Sequence, residues 1–120
     1  MQFMLSLFTP EAPFENMPED RARERFGAYM AYRAALVEAG AFVEGARLRP
    51  VADATTVRIS TEGQTQVLDG PYAETKEQLG GYFLIDVADL DTAISWAARC
   101  PAASEGIVEV RPVWPVPVRA

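Results

Sequence analysis

Histidine is absent from the 120 residues, lysine occurs once (Lys76) and cysteine once (Cys100). Without an imidazole there is no Ser-His-Asp or Cys-His arrangement, no His-x-x-x-His metal pair and no zinc site of the usual spacing. A lone cysteine followed by Pro101 forms neither an internal disulfide nor a Cys-x-x-Cys motif, which suits a reducing cytoplasm. Cys100 reads as a packing residue at a helix end. Cations are scarce as well. Eleven Lys and Arg against 17 Asp and Glu leave a net charge of −6, so nucleic acid and anionic membrane, which are held mainly by clustered cations, are not expected partners. Long apolar runs are missing. Residues 1–8 are apolar but have no basic flank and meet Thr9-Pro10-Glu11 too soon for a signal peptide or a membrane span, so a soluble cytoplasmic protein is expected.

The 49% hydrophobic content is enough for the core of one domain over residues 1–120, at a size where a dimer interface helps stability. Residues 2–8 are apolar on both faces except at Ser6, which predicts a central strand. A three-proline loop follows, and Pro18 with Glu19 and Asp20 starts a helix that Gly40 ends. On that helix Phe26, Met30, Ala34 and Val37 recur at helical spacing as the expected buried stripe, with Tyr29, Tyr32, Arg33 and Leu36 as a more polar second one. The tyrosines read as core-edge residues, or else Tyr29, Tyr32 or Arg33 reaches a pocket.

A strand over 41–45, a connector with Pro50, and a hairpin of 55–60 and 65–68 turning at Gly63 come next. Residues 82–87 alternate as a strand. Asp89 caps a second helix that Pro101 stops, with Leu90, Ile94, Ala97 and Ala98 as its expected buried stripe. Residues 107–113 form the last strand, and the proline-containing tail 114–120 suits an arm on a partner. The order is βαββαβ with an inserted β-hairpin, an α+β, ferredoxin-like plan with both helices on one face of an antiparallel sheet. The other face is uncovered, so two copies are expected to pack sheet to sheet around a barrel-like interior.

Ordinary folding explains residues 69–82 least. A Gly70-Pro71 corner, four ionisable side chains (Asp69, Glu74, Lys76, Glu77) and a Gly80-Gly81 pair sit between two strand-like segments, and loops held by a scaffold are where binding and chemistry concentrate. Thr75-Lys76-Glu77-Gln78 has the form of a capping box, with room for one helical turn before the glycines. Gly80-Gly81 lacks the downstream glycine of a dinucleotide loop, and no phosphate loop is present.

The run Asp69-Gly-Pro-Tyr-Ala-Glu-Thr-Lys-Glu-Gln-Leu-Gly-Gly81 resembles the hallmark of the YCII-related domain family, specifically its DGPF subfamily, with Tyr72 where phenylalanine is usual. The likeness extends to residues 49–58 and 108–113. It implies a dimeric α/β barrel of ferredoxin-like type, a homodimer, and an association with extracytoplasmic-function sigma factors. Relatives are thought to use a His-Asp pair, and some proteins of this superfamily isomerise or dehalogenate small cyclic acids. A His-dependent mechanism does not carry over to a chain without histidine.

The candidate chemistry rests on carboxylates and cations. Asp69 is either the acceptor that starts a turn or a general base raised in pKa by desolvation, with Glu74 as a second carboxylate. Lys76 is a solvated cation or a tunable one, and Tyr72 and Arg33 are further ligand contacts. Glu109 and Arg111 either pair with each other or leave Arg111 to clamp a ligand carboxylate. Magnesium or calcium on Asp69, Glu74 and Glu77 fits no recognised loop pattern, so no metal and no cofactor is assigned. Two functions follow: a small-molecule-binding or accessory protein, favoured, and an enzyme isomerising or eliminating on a small organic acid.

Overall fold

The computed structural model describes residues 1–73 and 75–117. Four strands form the main sheet: β1 (Gln2–Thr9), β2 (Phe42–Arg47), β5 (Gln78–Asp86) and β6 (Ile107–Pro112), in the order β2-β5-β1-β6. Every neighbouring pair is antiparallel. A separate two-stranded ladder, β3 (Thr55–Ile59) with β4 (Thr65–Asp69), lies between β2 and β5 in the chain. Helices α1 (Glu19–Glu38), α2 (Leu90–Arg99) and the short α3 (Ala102–Glu105) also supply core residues. This mixed α+β order accords with a ferredoxin-like plan. No described helix is long and apolar enough to cross a membrane.

The apolar run of β1 places it inside the sheet, paired on both sides. Phe3, Leu5 and Leu7 alternate toward the helices and join Phe83 and Ile85 of β5 with Tyr32, Leu36, Ala93 and Ala97 of the two long helices. Phe3, Leu5, Leu36 and Ile85 are fully enclosed, each contributing about 1.5–3 kcal/mol by leaving water. Met4, Ser6 and Phe8 point to the opposite face, in register with Leu84 and Tyr82 of β5 and with Arg111, Glu109 and Ile107 of β6. Among the described residues, no helix contributes to a core on that side.

The helices turn differently from their expected stripes. On α1 the buried residues are Tyr32 and Leu36, while Phe26, Met30 and Val37 are exposed. Tyr32 can go inside because its hydroxyl donates to the Trp96 carbonyl at 2.7 Å, and its ring meets Phe83 and Trp96 edge-on. Periodicity ranks tyrosine below phenylalanine and methionine, but a satisfied hydroxyl reverses that order. On α2, Ala93 and Ala97 are buried and Leu90 and Ile94 are exposed. Small residues let α2 lie close to the sheet. Its start is as expected, with Asp89 Oδ1 accepting from Thr92 N at 2.8 Å.

The motif departs most. No helical turn forms at residues 75–78. The Thr75 hydroxyl donates to the Glu77 carbonyl, Gln78 Nε2 donates to the Thr75 carbonyl at 2.8 Å, and the chain enters β5 at Gln78. Gly80 and Gly81 are therefore strand residues. Leu7 pairs with Gly81 and Phe8 with Leu79, which leaves Gly80 as the extra residue of a bulge. A side chain at Gly81 would stand 2.6 Å from the Ala46 carbonyl oxygen, so only glycine admits β2 at this spacing.

Candidate functional site

A cleft of about 400 Å³ opens between α1 and the helix side of the sheet, at the end where β1 finishes and the β5 bulge lies. Its floor carries Gly45, Gly80 and Gly81, and its back wall Leu7 and Phe83. Glycine explains the vacancy. Where two strand side chains would normally rise to meet a helix, Gly45 and Gly81 present none, and a Cβ at Gly45 would already press the Phe83 ring at 2.8 Å. The loop between β1 and α1, a short 3₁₀ turn at Ala12–Phe14, closes one side with Phe14 and Met17.

Helix α1 supplies the polar roof at four-residue steps, Arg25, Tyr29 and Arg33, which share one face. Arg25 Nε donates to Glu105 Oε2 at 2.7 Å and Tyr29 donates its hydroxyl to Glu105 Oε1 at 3.1 Å. The Arg25 guanidinium is 4.2 Å from the Phe14 ring centre and 5.2 Å from that of Tyr29, so it is held between two π faces. Burial, with the Glu105 charge and hydrogen bond, holds the Tyr29 phenol far above its ordinary range. It is therefore a neutral donor at physiological pH. Arg33 stacks on Phe42 at 4.6 Å, and Arg47 lines the rim from the end of β2. Thr9 is the buried polar residue at the end of β1, with its hydroxyl beside Gly80.

Residues 1–117 match the YCII-related domain. The chain belongs to the YCII-related domain family. Over 79 residues, 64% of this chain, it is 52% identical to an uncharacterized protein of Rhizobium meliloti (strain 1021). The matched part is 63% of that relative's length.

Within this YCII-related domain the sequence-predicted site residues lie in three places. Arg33 lines the cleft. Asp69, Tyr72 and Lys76 stand exposed around the corner that leaves β4, where Gly70 takes φ 101° and its carbonyl accepts from the Thr56 hydroxyl at 2.8 Å. The Arg58 guanidinium lies 6.0 Å from the centre of the Tyr72 ring. Glu109 and Arg111 sit on the open sheet face and pair at 3.0 Å. Glu74 lies outside the described residues. One protomer thus brings Glu109 to Arg111, and among the described residues the corner does not line the cleft.

Arg25, Arg47, Thr9, Gly45 and Glu105 were missed as site residues. The spacing 25, 29, 33 was the available signal for the roof, a polar row on a helix whose other row is apolar. Gly45 at the end of one strand-like segment and the Gly80-Gly81 pair before another were the signal for the floor. Nothing in the sequence pointed to Glu105, whose partners come from the far end of the chain.

Proposed function

We propose that this YCII-related protein belongs to the DGPF subfamily, whose hallmark is resembled by residues 69–81, and is a homodimer that holds a small organic molecule in the cleft under α1. The observation that carries the binding role is the glycine floor beneath a polar helix row. It leaves about 400 Å³ open beside the core, within the range of small-ligand sites. The space is lined by apolar side chains with a few placed polar groups, and Arg25 and Tyr29 are already fixed by Glu105.

Dimerisation is supported by surface accounting. A compact 13.2 kDa protein exposes roughly 6,400 Å², whereas this protomer exposes 8858 Å². It is also flat, with extents of 53 × 48 × 19 Å. The sheet face bearing Met4, Phe8, Tyr82 and Leu84 is the natural place for a second copy, since sheets pack face to face at about 10 Å.

The test is a fragment screen by NMR on the full chain. Binders should shift the amides of Thr9, Gly80, Gly81 and Tyr29, and Ala22→Trp, which places an indole at the cleft mouth, should abolish the shifts while α1 stays folded. Shifts confined to the corner around Asp69 and Lys76 would overturn the assignment to the cleft.

A further inference from the structure

The charges around the cleft oppose those of the protein as a whole. The chain carries a net −6, yet among the described residues the cleft lining holds three guanidinium groups, Arg25, Arg33 and Arg47, and one carboxylate, Glu15. Arg25 is neutralised by Glu105 at 2.7 Å. Arg33 and Arg47 make no ion pair among the described residues. Stacking on Phe42 fixes the Arg33 guanidinium through its face and leaves its N–H edge free to donate. An acidic protein that collects unpaired guanidinium groups beside an apolar hollow is arranged to attract a negative charge there and to keep cations out.

Resting on the reading that the cleft binds a small molecule, we infer that its ligand is an organic carboxylate. The carboxylate sits at the rim on Arg33 and Arg47, and a one- or two-ring apolar body lies over Gly45 and Gly81 against Leu7, Met30 and Phe83. Two features select this class. Guanidinium groups bind carboxylates through paired, charge-assisted hydrogen bonds, which a neutral ligand cannot accept with equal strength. The glycine floor is smooth and uncharged, so a polar body such as a sugar would leave its hydroxyls without partners. The Tyr29 hydroxyl in the roof already donates its one proton to Glu105, so toward the ligand it serves as an acceptor for a single donor atom.

The inference is tested by calorimetric titration of the full chain with 1-naphthoate, with 1-naphthamide as its neutral counterpart, and with inorganic phosphate as competitor. Naphthoate is expected to bind at least ten-fold more tightly than naphthamide. In the Arg33→Gln/Arg47→Gln variant that preference should fall below three-fold, with an unchanged urea midpoint showing that the fold is intact. Added salt should weaken naphthoate binding and leave naphthamide binding unaltered. Equal affinity of the two naphthalenes for the unmodified protein would overturn the carboxylate inference and leave the cleft reading in place. Phosphate competing as strongly as naphthoate would overturn the organic part of the inference. Failure of both naphthalenes to bind would remove the cleft reading along with it.

Discussion

Arg25 Nε and Glu105 Oε2 lie 2.7 Å apart, joining the first half of α1 to the short helix that precedes β6. Both side chains are only 20% exposed, so the pair is shielded from most of the solvent. The second carboxylate oxygen takes the Tyr29 hydroxyl, and one acid therefore fixes two roof groups of the cleft.

Glu105→Gln should cost about 1–3 kcal/mol, because Arg25 would remain partly buried without its counter-charge. A double-mutant cycle with Arg25→Gln by urea denaturation checks this, and a coupling energy near zero would show that the pair holds nothing in place.

The two motif glycines should respond oppositely to alanine. At Gly81 the new methyl would stand 2.6 Å from the backbone oxygen of Ala46, so β2 must shift, at about 1–3 kcal/mol. At Gly80 the nearest atom is Thr9 Oγ1 at 3.7 Å, an ordinary contact, and reduced freedom of the unfolded chain should make Gly80→Ala neutral or up to about 1 kcal/mol stabilising. Thermal melts of both variants decide it.

Stability should fall on the alkaline side, starting near pH 9. Burial pushes the Cys100 thiol from 9.0 up to about 11 and raises the Tyr29 and Tyr32 phenols well beyond their ordinary 10.0. These groups are neutral in the folded state below those values. Above pH 9 the unfolded chain releases the thiol proton that the folded chain retains, so unfolding gains free energy as pH rises, and the tyrosines extend the decline from pH 10 upward. Urea midpoints measured from pH 7 to 11 should show this loss, and Cys100→Ala should flatten the part between pH 9 and 10.

Light scattering after gel filtration should give twice the 13.2 kDa chain mass. Leu84→Lys sets a charge amid the sheet face that carries Met4 and Tyr82, and should yield a single-chain species whose far-ultraviolet circular dichroism is unchanged. A dimer that survives this substitution would place the interface elsewhere.

Much of the fold was legible because its signals are local. The apolar run at residues 2–8, Pro18 before α1, Asp89 before α2 and Gly63 in the hairpin each state their structure within a few residues. Helix orientation was not legible. Burial of Tyr32 depends on the Trp96 carbonyl, which no pattern within α1 can announce. The capping-box spelling at 75–78 was overridden by the pairing of Gln78 with Thr9, a long-range ladder contact outcompeting a local preference. Of the site, Arg33 and Tyr29 were visible as a polar row, whereas Glu105 reaches Tyr29 and Arg25 only through the tertiary fold.

The placement of β1 between β5 and β6 bears on how the molecule assembles. Phe3 is bonded into a ladder opposite Ile85 on one side and Pro112 on the other, so one seam of the central strand waits for residue 86 and the other for nearly the whole domain to leave the ribosome. Such distant pairings slow folding and leave a greasy, unpaired strand waiting in the meantime. Synthesis of this protein should therefore depend on chaperone supply to a degree that its small size would not suggest.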